Sequence, residues 1–328
     1  MTIASIHSRK HFRCSRFGVR ISMLSLVVAV EIASPFKLYS QTVDAIPVVP
    51  IETSDALYRS RRYALIVVSL PGDEEHREKF SEVVGVWQQW LTEIAGVEKQ
   101  DLMLLNSDGG NGAEPATAKS IRARMALLSA SLTPEDSLWV FLLGHGSQDE
   151  RHGWFHLPGP DLSAGEWADL FALLKTREQL FWMTHSASGS FLKPLSRPGR
   201  VVVCATDDAE LNETRFPYAL AEIMQKQLKS TPAPDTKPSK IVTVLELFRQ
   251  TAHHVDQSFE DDKLVPTEHA QLDDNGDGVG TEAADVVAYR DAEGSVDLTV
   301  IDGATSDRIQ ITLRQIEQPP AEQGRVVD

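Results

Sequence analysis

Residues 137–147 read SLWVFLLGHGS. The first seven form an almost unbroken apolar run. A run without polar alternation marks a strand covered on both faces, as in parallel sheets. Tyr63 to Leu70 (YALIVVSL) repeats the pattern and stops at Pro71-Gly72. Leu180 to Thr184 and Val201 to Ala205 repeat it again, and Leu102 to Leu105 is a shorter version. Trp154 to Leu157 reads as a short hairpin strand. Between these runs the apolar spacing becomes helical. From Glu74 to Ile94 a stripe runs through Phe80, Val83, Val84, Trp87, Leu91 and Ile94. Ala116 to Leu132, Ser163 to Lys175, Pro217 to Leu228 and Ile241 to Val255 read as further helices, with Ser163 as an N-cap. Strands alternating with helices imply an α/β fold, a mostly parallel sheet with helices on both faces.

The chain has 328 residues, 42% of them hydrophobic, enough for a substantial core. Its formal net charge is −15. Phosphate binding needs clustered Lys and Arg, so nucleic acid is not an expected partner. Residues 1–41 run against the overall charge. They hold Arg9, Lys10, Arg13, Arg16, Arg20 and Lys37 against Glu31 alone, with an apolar run from Ile21 to Val30. That pattern predicts a secretory signal and an exported protein, periplasmic or extracellular. A membrane is a partner only if this segment is retained as an anchor. Residues 42–60, with Pro47 and Pro50, read as a linker. Residues 61–287 are the expected domain and 288–328 an extension, disordered toward its end. Within the extension, Ser295 to Val300 and Arg308 to Leu313 alternate in the manner of a small β-hairpin. The presumed mature chain keeps only Cys204, so no internal disulfide is expected.

Ligands of open α/β sheets bind outside the carboxyl ends of the strands. Two strand ends here carry reactive groups. One is His145 between Gly144 and Gly146; the other is Ser186, followed by Ala187-Ser188-Gly189. Small neighbours let backbone N–H groups approach a substrate carbonyl, as an oxyanion site requires. An imidazole at one strand end can move a proton for a hydroxyl at the next. The pair is more specific than either residue alone, since a lone strand-end histidine or Ser/Gly turn is usually only a turn. Asp207 and Asp208 follow the next strand and would favour a basic ligand residue if they line a pocket. His76 and Arg77 follow the first strand and are candidates for the cleft border.

The ordered set, LLGHGS at 142–147 and LFWMTHSASG at 180–189, resembles the caspase-like cysteine peptidases, closest to the legumain-like group. In that group the strand-end His-Gly is followed by an apolar strand and Cys-x-Ser-Gly. Ser186 stands here where the cysteine belongs, and Ser188 and Gly189 supply the following Ser-Gly. The 41 positions from His145 to Ser186 are compatible with the spacing of about 50 seen in caspases. The resemblance covers roughly residues 62–280. It implies a peptide or protein ligand, Ser186 in the nucleophile position, His145 as base, and the N–H groups of Gly146 and Ser186 as oxyanion donors. A serine hydroxyl is far less acidic than a thiol of pKa about 8.5 and needs a better-placed base. The expectation is therefore a pseudopeptidase or weak peptidase. The alternative is an active serine-dependent endopeptidase.

No cofactor is required by either reading. Calcium is a candidate ion: Asp273, Asn275 and Asp277, with Gly278 at the turn and the Val279 carbonyl, match the first part of an EF-hand loop. Position twelve is Ala284 where a bidentate Glu is expected, and a solvated acidic turn is the competing reading. The histidines, including His253-His254, lack the spacing of a structural zinc site.

Overall fold

The computed structural model describes residues 60–109, 113–230, 242–288 and 301–311. The apolar runs become the strands of one sheet: β1 Arg62–Val68, β2 Leu102–Asn106, β3 Ser137–Leu143, β7 Glu178–Met183 and β8 Arg200–Cys204. A hairpin unit, β4 Gly146–Gln148, β5 Gly153–Phe155 and β6 Leu162–Ser163, lies between β3 and β7 in sequence. β10 Gln271–Asp273 and β11 Thr281–Glu282 complete the main sheet, whose order is β11-β10-β8-β7-β3-β1-β2. The five strands from β2 to β8 are parallel; β10 joins β8 antiparallel.

The helices are α1 Glu74–Glu93, α2 Ala118–Ser131, α3 Ala164–Ala172, α4 Gly189–Leu195, α5 Phe216–Ser230 and α6 Val244–Asp261. Each strand feeds both faces because successive side chains alternate. Ala64, Ile66, Trp139 and Phe141 join one core with Trp87 and Trp90 of α1, Phe216 of α5 and Phe248 of α6. Leu65, Val67, Leu138 and Val140 join the other with Ile121 of α2, Trp167 of α3 and Phe191 of α4. Helices therefore cover both faces, as the unalternated strands require. The expected cap of α3 is present, with Ser163 accepting from the Glu166 amide and Glu166 returning to Ser163. Among the described residues no helix is long and apolar enough to cross a membrane.

Gln310–Ile311 forms β12, which pairs antiparallel with β9, Val242–Thr243. The expected hairpin partner Ser295–Val300 lies outside the described residues, as do residues 1–59. Residues 301–311 pack against the domain. Ile309 and Ile311 are buried, and Asp274 accepts hydrogen bonds from the Gly303 and Ser306 amides at 2.9 and 2.7 Å. The physical reason is a buried carboxylate that needs donors, which residues 301–311 supply.

Candidate active site

β1, β3, β7 and β8 end side by side, and the loops leaving them carry the reactive groups. The Ser69 amide extends the ladder to Leu143 O, the Thr184 amide to Leu142 O and the Ala205 amide to Met183 O. Gly144 then turns the chain at φ +131°, where a side chain is strained. The turn delivers the His145 amide to Ser69 Oγ at 2.7 Å. It also places His145 Nε2 3.2 Å from Pro71 O. A carbonyl only accepts, so Nε2 carries a proton; in the neutral ring the lone pair is then on Nδ1. Edge contacts with His76 (ring centroids 5.1 Å apart) and Phe80 (5.6 Å) hold the ring in place.

His76 sits in the first turn of α1, between Asp73 Oδ1 (2.7 Å) and Glu213 Oε1 (2.9 Å). Donating a hydrogen bond to the Asp73 carboxylate holds its pKa above the usual imidazole value. It thus borders His145, as its place in the sequence suggested. Arg77 is engaged with Glu74 and, at 3.1 Å, with Asp108.

Ser186 follows β7 in a turn held from three sides. Thr214 Oγ1 donates to Thr184 O at 2.7 Å. Ser188 Oγ meets Thr206 Oγ1 at 3.2 Å, and the Gly189 amide donates to the same Thr206 oxygen at 3.0 Å. Gly189 has no room for a side chain, since a Cβ there would overlap the Asp207 carbonyl. Ser186 itself is only 5% exposed, and its hydroxyl makes no hydrogen bond among the described residues, to His145 or to anything else.

Gly146 joins the two halves of the site. A Cβ on it would lie 2.6 Å from both Ser186 O and His185 Nδ1, so only glycine permits this approach. The β4–β5 register places Gly146 opposite Phe155. The flanking pair His145–His156 is the hydrogen-bonded one, with the His156 amide on His145 O. Antiparallel pairs alternate, so the Gly146 N–H points out of the hairpin ladder. The Ser186 amide likewise has no acceptor among the described residues. Two N–H groups without an acceptor among the described residues therefore lie in the Gly146 and Ser186 segments, which the close approach at Gly146 brings together.

Asp207 and Asp208 stand at the same end of the sheet. Asp207 accepts from the Ala209 and Glu210 amides at 2.7 and 3.0 Å, so its carboxylate closes its own turn. Asp208 contributes its backbone carbonyl to Gln148 Nε2 at 2.6 Å, tying the loop to the hairpin. Ser69, Pro71 and Glu213, which position His145 and His76, carried no sequence signal. Cys204 is fully buried inside β8, and burial pushes its thiol well above the usual range.

The calcium candidates lie at the opposite end of the sheet. Asp273 pairs with Val202 near the start of β8, and Gly276 packs against Arg197 and Pro198. Asp273 accepts from the Gly276 and Gly278 amides, Asn275 Oδ1 from the Asp277 amide and Asp277 Oδ1 from the Val279 amide. The loop is closed by its own hydrogen bonds. A calcium sphere takes six to eight oxygens. Position twelve of the loop is Ala284, which brings no side-chain oxygen. Among the described residues no group of three or more His, Cys, Asp or Glu side chains is arranged to hold a metal.

His185, next to Ser186, is fully buried, and burial lowers its pKa to about 4. A free imidazole titrates near 6.5. The folded state therefore refuses a proton that the unfolded chain accepts. Its contribution to stability is complete above about pH 6.5 and lost as pH falls toward 4. The full loss amounts to about 3 kcal/mol. Denaturant unfolding at pH 7 and pH 4.5 should show a steeper acid loss for the wild type than for His185→Phe. Equal losses would mean the residue is not buried neutral.

No protein-family model and no curated protein matches this chain. Among solved structures it is similar to caspase-1 from Spodoptera frugiperda, with a TM-score of 0.42 and 12% sequence identity, covering 67% of this chain and 90% of that one. It is also similar to a protein of Geobacter sulfurreducens, with a TM-score of 0.40 and 10% identity, covering 65% and 92%.

Proposed function

We propose that this chain is a caspase/legumain-like peptidase-fold protein that binds an extended peptide or protein segment in the His145/Ser186 cleft, with weak or absent hydrolysis. The observation that carries the recognition part is the meeting of three groups at one sheet end. These are a histidine in a defined tautomer, an unpartnered hydroxyl, and two unused backbone N–H groups. All suit a peptide carbonyl. The observation behind the weak chemistry is the missing hydrogen bond between Ser186 and His145. A serine needs its proton taken as it attacks, and His145 is oriented by a backbone carbonyl instead of a carboxylate.

The active reading remains well defined. Ser186 Oγ would attack the scissile carbonyl while its proton passes to His145 Nδ1. The N–H groups of Gly146 and Ser186 would hold the oxyanion, and His145 would return the proton to the leaving amine. Water then releases the acyl group by the same route. The unused N–H groups favour this reading; the unpaired hydroxyl favours the silent one. We further propose export through residues 1–41, with ligands met outside the cytoplasm.

One experiment separates the readings. The full chain is mixed with a peptide library, and binding, hydrogen exchange and cleavage are followed together. The expected result is protection of the amides around residues 145–148 and 185–189, with wild type and Ser186→Ala cleaving alike. Wild-type cleavage exceeding Ser186→Ala by more than about tenfold would instead establish a serine peptidase. Protection at neither segment would remove the cleft as the ligand site.

A further inference from the structure

His185 touches three of the elements that meet at the cleft. Its ring is edge-on to Phe155 of β5 at 5.1 Å and to Phe191 of α4 at 4.6 Å between centroids. It also lies against the Gly146 backbone, where a Cβ would come within 2.6 Å of Nδ1. The hairpin, the Ser186 turn and α4 thus share one buried imidazole.

Its two nitrogens differ. Nδ1 lies 2.9 Å from Ser186 O and, facing a carbonyl, must be the donor. Nε2 is buried with no partner. An unpaired buried polar atom is destabilising. An apolar ring would fill the space between Phe155 and Phe191 without that cost. What an apolar ring would not supply is the hydrogen bond to Ser186 O. That carbonyl belongs to the peptide unit joining Ser186 to Ala187, and Ala187 sits at φ +57°. A left-handed alanine is strained and persists only where its surroundings hold it. Fixing the Ser186 carbonyl fixes that peptide plane. It therefore constrains Ser186 ψ, and with it the backbone from which the Ser186 hydroxyl projects.

We propose that His185 is the positioning residue of Ser186, holding its carbonyl through Nδ1–H so that the Ser186 hydroxyl and N–H face the ligand carbonyl. This rests on the reading of the cleft as the ligand site. His185 acts neither as acid nor as base, because burial keeps it neutral.

The test uses a thiol reporter and needs no peptidase activity. Ser186→Cys is made alone and combined with His185→Asn or His185→Phe in the full chain. Asparagine keeps an N–H donor near the Nδ1 position; phenylalanine fills the space without one. Alkylation by iodoacetamide is followed against pH, with melting temperatures alongside. The expected result is an asparagine variant within about threefold of Ser186→Cys and a phenylalanine variant slower by about tenfold or more, at similar melting temperatures. Equal alkylation in the two double variants overturns the proposal, whatever their stabilities. If the phenylalanine variant does not fold, His185→Leu takes its place with the same two outcomes. The pH profile of Ser186→Cys alone speaks to the cleft reading separately. A thiol titrating at the free value of about 8.5 would show that His145 gives it no help. The contrast between asparagine and phenylalanine would still decide the role of His185.

Discussion

On the proposed reading of the cleft, Ser186→Cys should cleave peptides at least about a hundredfold faster than wild type. The argument starts from acidity. A free thiol titrates near 8.5 and gives a few per cent of thiolate at neutral pH without help. An alcohol gives essentially none, so it must lose its proton during attack. That demands a base already in contact, and the Ser186 hydroxyl makes no hydrogen bond to His145. A thiolate tolerates a looser arrangement, because charge is established before attack. The rest of the site is ready for it. His145 donates from Nε2 to Pro71 O, so its neutral ring has the lone pair on Nδ1. The Gly146 and Ser186 N–H groups are unspent. The measurement is turnover of a mixed peptide library by both proteins, with His145→Ala added to each. The gain in the cysteine variant should vanish with His145→Ala. A cysteine variant as silent as the wild type would mean that the cleft has diverged beyond its nucleophile.

The parts of this site differ in how much of them shows in the sequence. The strand ends are legible because a strand buried on both faces writes an unbroken apolar run, and Gly144-His145-Gly146 directly follows one. Ser186 is legible for the same reason. β10 is not, since Gln271–Asp273 offers a single apolar residue and owes its strand to pairing with β8. α4 hides because it starts inside a Ser/Gly turn and carries Pro194. The groups that hold the site are the least visible. Ser69 and Pro71 act on His145 through one hydroxyl and one backbone carbonyl, and neither follows from a motif. His185 reads as an oddity beside Ser186 until Phe155 and Phe191 close on it from distant segments. At Asp207, a carboxylate at a strand end, one oxygen accepts the Ala209 and Glu210 amides. Sequence spacing reports which residues reach one end of the sheet. It does not report which of their atoms are already taken.

Gly144→Ala should cost the protein about 3–5 kcal/mol and lower its melting temperature by roughly 10 °C. Two effects add. Gly144 has φ +131°, a conformation that an L side chain rarely adopts, and forcing alanine there costs about 1–3 kcal/mol. The new methyl would also overlap the Ser69 hydroxyl and approach Phe80 Cε2 at 3.3 Å. The hydroxyl cannot simply turn away, because it accepts the His145 amide at 2.7 Å. Displacing it leaves that amide without its acceptor, at a further cost of about 1–3 kcal/mol. Ser69→Gly separates the terms. It removes the overlap and leaves the backbone strain. The double variant Ser69→Gly/Gly144→Ala should therefore lie closer to Ser69→Gly than Gly144→Ala lies to wild type. Calorimetric or denaturant unfolding of the four proteins reads the coupling directly. A coupling near zero would place the whole cost in the backbone and free Ser69 from any role in the turn. A coupling of about 1 kcal/mol or more would show that Ser69, Gly144 and His145 are set as one unit. The position of His145 in the cleft would then depend on the glycine that precedes it and on a serine just past the end of β1.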